Sequence, residues 1–175
     1  MNTLRKAPVT TCCTMSSPLG DMLLVARDGA LAGVYFAGQK YFPPQDPAWR
    51  VDADVPVLRA ARRQLADYFA GARTRFDLPL AQDAGTPFQR AVWTAIAGVE
   101  WGATATYTEI AARAGHAGSV RAAGAATGRN PWSLVVPCHR VVGVGGALTG
   151  YAGGLDRKRA LLALERGQRL LTHAA

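Results

Sequence analysis

A chain of 175 residues with 49% hydrophobic and 18% charged side chains has the composition of a soluble globular protein, with room for one substantial core or two small domains, which excludes disorder as the default state. No apolar run approaches the roughly 20 residues that cross a bilayer, and the opening "MNTLRKAPVTTCCTMSSPLG" lacks the continuous hydrophobic stretch of a signal peptide, so no membrane partner and a cytoplasmic location are expected. The net charge of +8 is uneven: residues 1–85 hold ten basic and eight acidic side chains, whereas 86–175 hold ten basic and four acidic, which makes the second half the candidate polyanion binder.

The first half reads as α/β. "TCCTM" (Thr11 to Met15), "DMLLVAR" (Asp21 to Arg27) and "ALAGVYF" (Ala30 to Phe36) are short apolar runs separated by turn residues, which predicts a small antiparallel meander. A proline-rich connector, "YFPPQDP", leads to a predicted helix in "DVPVLRAARRQLADYFAG", with Asp54 as cap, Pro56 in the first turn and Gly71 as stop. Cys12 and Cys13 read as strand residues. Three cysteines, two of them adjacent, and three histidines form neither a disulfide framework nor a zinc cluster, so no metal is expected and a reducing compartment fits.

After "LPLAQDAG" the pattern becomes helical. Thr86 with Gln89, and Thr106 with Glu109, stand at capping-box spacing before "PFQRAVWTAIAG" and "YTEIAARAG". Ser119 is a candidate cap for "SVRAAGAATG", and the last two helices joined by "GHAG" have the size of a helix-turn-helix. Between Ala122 and Gly128 the third helix offers only Ala, Gly and Thr, with Arg121 as its one long side chain near the start. It is either a helix pressed into a groove with Arg121 as a probe or a helix packed tightly on another.

"SLVVP" reads as a buried strand leading to Cys138. A thiol with a pKa of about 8.5 needs a base, and His139 is nearest. Adjacent side chains on an extended segment point apart, so contact through an ordered water or a local turn is expected. Glu165, in "DRKRALLALERG", is a candidate orienting carboxylate close to the core or, equally, a surface ion pair with Arg166 or Arg169. A buried cysteine can also be mere packing. "GYAGG" (Gly150 to Gly154) allows close backbone approach to a ligand but lacks the P-loop pattern, so no nucleotide cofactor is expected.

Together "TPFQRAVWTAI", "YTEIAARAG", "RAAGAATGRNP", "VVPCHRVVG" and "LTGYAGGLDRKRALLALE" resemble, in order and spacing, the O6-alkylguanine-DNA alkyltransferases, densely from Thr86 to Glu165 and more loosely over 10–80. The resemblance implies an N-terminal α/β, ribonuclease H-like domain over 1–80 with flexible first residues. It implies a mainly α, winged-helix-like domain over 86–170 that binds DNA and accepts the alkyl group. Cys138 would attack the alkyl carbon on guanine O6, His139 would act as base through a water, Glu165 would orient it and Asn130 would organise the turn. Tyr107 and Arg121 would flip the nucleotide, with Ala122, Ala126 and Gly128 of the small-residue helix against the minor groove. Tyr151 and Gly153 would line the guanine pocket, and backbone groups near Val141 and Ala152 would supply its remaining donors and acceptors.

The implied partner is double-stranded DNA carrying O6-alkylguanine, met by a monomer without cofactor, nucleoid-associated in a bacterium. Clustering on DNA and O4-alkylthymine as substrate stay open. "VEWG" at 99–102, "RAAG" and Ala152 depart from the family's usual residues and leave the accepted alkyl size open. The other readings are a lesion-sensing binder, against which Cys138 argues, a thiol hydrolase, and a sequence-specific helix-turn-helix regulator, for which the Ala/Gly helix has too few reading side chains.

Overall fold

The computed structural model describes residues 9–170. The expected flexibility of the first residues concerns positions that lie largely outside this range. Strands β1 (Thr10–Met15), β2 (Met22–Arg27) and β3 (Ala30–Phe36) form the expected antiparallel meander. Asp28 and Gly29 connect β2 to β3 with positive φ at both positions, the conformation a two-residue hairpin turn demands. Strand β2 is buried from Met22 to Ala26, because one face meets a helix and the other meets Ala32, Ala81 and half-buried Trp49, which is why "MLLVA" does not alternate.

A fourth strand, β4 (Arg50–Val51), pairs parallel with β1 and makes the sheet mixed, in the order β3-β2-β1-β4. Both residues are exposed, so no hydrophobic signal announced them. Helix α1 (Pro56–Phe69) lays Val57, Leu58, Ala61, Leu65 and Tyr68 on the sheet. Its N-cap is Val55 and not Asp54: the Asp54 N–H is taken by Asp52 Oδ1 at 3.0 Å in a turn ahead of the helix. Pro56 stands at the first helical position, and Gly71 follows the last turn at φ +73, as a stop requires.

Helices α2 (Pro87–Ala97) and α3 (Tyr107–Arg113) carry both halves of their capping boxes. In α4 (Val120–Gly128) Ser119 holds the N-cap position, but its side chain makes no capping hydrogen bond. The three helices pack on one another, with α3 and α4 as the helix-turn-helix. A two-stranded parallel ladder of β5 (Ala105–Thr106) and β6 (Val141–Val142) ties the Cys138 segment to the start of α3, and α5 (Leu155–Glu165) closes the fold. Among the described residues no helix is long and apolar enough to cross a membrane.

One hydrophobic cluster runs through both halves, from Leu24, Phe36 and Tyr68 to Ile96, Ile110 and Leu161. The seam is also hydrogen-bonded: Trp132 lies beside β3, with Val34 N–H donating to Pro131 O at 2.8 Å and Trp132 Nε1 donating to Leu31 O at 2.7 Å. That docking turns the chain, so "SLVVP" is not the expected strand. Ser133 to Val136 form turns and a bend, and Leu134 takes φ +72. Asn130 holds the reversal, accepting from Trp132 N–H at 3.0 Å and donating to Val136 O at 2.8 Å.

Candidate active site

Cys138 opens a single 3-10 turn, Cys138–Arg140, between Pro137 and β6. Its side chain is buried, and Asn130 Nδ2 donates to Sγ at 3.2 Å. Burial pushes the thiol pKa up, and the Asn130 hydrogen bond and the Lys158 charge offset only part of that. The resting sulfur is therefore a thiol that needs a base.

The turn resolves how His139 relates to it. His139 is fully buried, with Nε2 2.7 Å from Glu165 Oε1, while Nδ1 is buried without a hydrogen-bond partner. Burial lowers the imidazole pKa and the carboxylate restores only part, so the ring is neutral at pH 7. The Glu165 contact assigns the proton to Nε2 and leaves a lone pair on Nδ1. Among the described residues no direct hydrogen bond joins the Cys138 and His139 side chains.

Glu165 is not the surface ion pair that was one reading of its sequence; Arg166 and Arg169 are exposed. Its carboxylate is enclosed by donors: Tyr68 Oη at 2.8 Å, Arg140 Nε and Nη2 each at 2.9 Å, and Gly102 N–H at 3.2 Å, besides His139. Burial alone would raise its pKa, but hydrogen bonds from His139 and Arg140 outweigh that and hold it at about 2. A fixed anion thus sits behind the imidazole.

Arg140, Tyr68 and Lys158 are the functional candidates that sequence reasoning missed. Arg140 carried a signal, a charge inside the apolar "VVPCHRVV". So did Lys158, which shares the i, i+3, i+4, i+7 stripe of Leu161, Leu162 and Glu165, all buried. Its Nζ donates to Gly150 O at 2.8 Å and to Val141 O, joining the glycine-rich loop to β6, and burial lowers its pKa to about 8. Tyr68 belongs to the apolar face of α1, and nothing local to that helix marks the partner of its hydroxyl.

A cavity of about 290 Å³ opens above the sulfur, walled by Tyr107, Ala125, Gly128, Cys138, Tyr151 and Ala152. Burial raises the pKa of both tyrosines, so their hydroxyls stay protonated. Arg121 and Ala122 are exposed on the outer face of α4. Two expected contacts are placed differently. Ala126 is 2% exposed and faces the core, its carbonyl accepting from Trp93 Nε1 at 2.8 Å, and Ala125 takes the open position one helical step away. Gly153 lies behind the Tyr151 ring, where a Cβ would fall 2.6 Å from Cε1. Val141 buries its side chain in the core, so its backbone alone is available to a ligand, and its carbonyl accepts from Lys158 Nζ.

Residues 11–82 match the family model of the 6-O-methylguanine DNA methyltransferase ribonuclease-like domain, and residues 87–167 match that of the 6-O-methylguanine DNA methyltransferase DNA binding domain. The chain is 46% identical over 153 residues to the methylated-DNA-protein-cysteine methyltransferase of Mycolicibacterium paratuberculosis, covering 87% of this chain and 90% of that protein. The enzyme of the same name from Methanosarcina acetivorans is 45% identical over 150 residues, 85% of this chain and 94% of its own. The crystal structure of Mycobacterium tuberculosis OGT in complex with DNA superimposes with a TM-score of 0.81 at 41% identity, over 90% of this chain and 93% of that one. With both halves matched in order and a buried Cys-His-Glu arrangement at their seam, the chain belongs to the 6-O-methylguanine DNA methyltransferase family.

Proposed function

We infer that this protein repairs DNA by direct reversal, moving the alkyl group from O6 of guanine in a duplex to Sγ of its own Cys138. The observation that carries the reading is a single buried thiol at the cavity floor, with an amide on the sulfur and a neutral imidazole backed by a fixed carboxylate. An alkyl carbon inside stacked DNA cannot reach such a sulfur, so the nucleotide must leave the helix. Exposed Arg121 is the group to fill the vacated stack, the small side chains of Ala122 and Ala125 allow α4 to approach the minor groove, and Tyr107 crowds the phosphate.

The buried lone pair of His139 Nδ1 suits a water bridging to Sγ–H. Through that water the imidazole takes the thiol proton while Glu165 stabilises the imidazolium. Sulfur forms a bond to the alkyl carbon as the carbon–O6 bond breaks, its electron pair leaving with guanine. Tyr107, whose hydroxyl burial keeps protonated, donates to that anion in this reading. The product is a thioether with no carbonyl for water to attack, so the acceptor has no release step and one molecule repairs one lesion.

Intact mass after incubation with a duplex holding one O6-methylguanine tests the reading. One methyl group on Cys138, stoichiometric with restored guanine and absent from Cys138→Ala, is the expected outcome. Tight lesion binding without a mass gain would make the protein a damage-sensing binder instead.

A further inference from the structure

The segment after β3 belongs to the first half of the chain, yet it closes one side of the cavity above Cys138. Lys40 N–H donates to Ala152 O at 2.9 Å, tying this segment to the glycine-rich loop. Buried Gln39 braces the bend, accepting from Phe36 N–H at 2.8 Å and donating to Lys40 O at 3.3 Å. Tyr41 follows at φ +61, a left-handed conformation that a residue with a side chain keeps only where its surroundings enforce it.

Tyr41 stays 45% exposed at the cavity mouth, and two cations converge on its ring. Lys40 Nζ lies 5.0 Å from the ring centroid, and Arg129 Cζ, from the C-cap residue of α4, lies 4.7 Å away. Neither cation has a carboxylate partner among the described residues. Two like charges gathered on one ring, at the entrance to a site for a nucleotide, are matched to an anion that enters with that nucleotide.

We propose that Lys40, Tyr41 and Arg129 form a phosphate-binding rim, in which the two cations hold a backbone phosphodiester flanking the extrahelical nucleotide and the tyrosine ring fixes them in place. The inference rests on the repair reading above and extends the substrate site into the N-terminal half. A flipped nucleotide brings its own phosphates to the mouth, whereas an isolated base does not.

The test pairs protein variants with neutralised phosphates. Methyl-transfer rates are measured on duplexes carrying one O6-methylguanine, natural or with a methylphosphonate on the 5′ or the 3′ side of the lesion. Arg129→Gln and Lys40→Gln, both at exposed positions, are expected to keep the wild-type Tm and to slow transfer from the natural duplex by about tenfold each. On one of the two methylphosphonate duplexes wild type slows similarly and the variants slow no further. Tyr41→Gly, which relaxes the backbone and removes the ring, slows transfer without lowering Tm. Equilibrium binding of the same duplexes in a Cys138→Ala background reads the rim independently of chemistry, and each lost contact lowers the salt slope by about 0.9. Losses that multiply at both phosphates, or variants indistinguishable from wild type, overturn the rim. Absence of transfer by wild type, with the binding cycle intact, overturns the repair reading alone.

Discussion

Replacing Glu165 by glutamine removes one charge from a buried cluster and changes almost no volume. The wild-type carboxyl titrates at about 2 instead of its ordinary 4.5. At about 1.4 kcal/mol for each pH unit between those values, the ionised group contributes about 3 kcal/mol to folding, within the roughly 3–5 kcal/mol lost when one partner of a buried pair is removed. Because the folded pKa lies below the unfolded one, this stabilisation is complete above pH 4.5 and is lost as pH falls toward 2. Urea unfolding at neutral pH should place Glu165→Gln about 3 kcal/mol below wild type, with the gap reduced to less than half by about pH 3. The same variant leaves Arg140 without its counter-ion and presents a neutral amide to His139, so methyl transfer should slow by about 10²–10³. A variant as stable as wild type at pH 7, or a gap that does not change with pH, would refute the fixed-anion account.

Burial keeps His139 neutral below the ordinary imidazole value, so the transfer rate should stay level as pH falls through 6.5 and decline only further down; a rate already halved at 6.5 or above would contradict this. Gly153→Ala drives a Cβ into the Tyr151 ring at 2.6 Å, and it should slow transfer by about tenfold with a smaller loss in Tm, read from parallel rate and melting measurements. Lys158 has its pKa lowered to about 8 from 10.5, so its buried charge costs stability below pH 8 and the cost is relieved as pH rises toward 10.5. Wild type should therefore gain stability relative to Lys158→Met between neutral pH and about pH 10 in urea unfolding, and an unchanging difference would count against a buried ammonium.

The two capping boxes were legible because they are chemistry between residues three apart, and Thr86 with Gln89 and Thr106 with Glu109 need no tertiary partner to form. The three-stranded meander was legible for a similar reason, its apolar runs being short and each bounded by turn residues. "SLVVP" failed as a strand because a short apolar run does not specify its own backbone; Trp132 docking beside β3 and the Asn130 side chain impose the turn. The expected place of Ala126 differs from the observed one because a helix of Ala, Gly and Thr carries no apolar-polar contrast, and only packing against the rest of the fold buries Ala123 and Ala126 and leaves Ala122 and Ala125 outside.

Local pattern alone was enough for the three-stranded meander, the capped starts of α2 and α3, the uneven charge and the family resemblance that singles out Cys138, His139 and Glu165. Only the tertiary structure decided what those residues meet. Tyr68 reaches Glu165 across 97 positions, Arg140 across 25, and Lys40 meets Ala152 across the seam between the two halves. The partner of a buried charge is whichever group packing brings within about 3 Å in a medium that water cannot screen, and no local pattern along the chain encodes that distance.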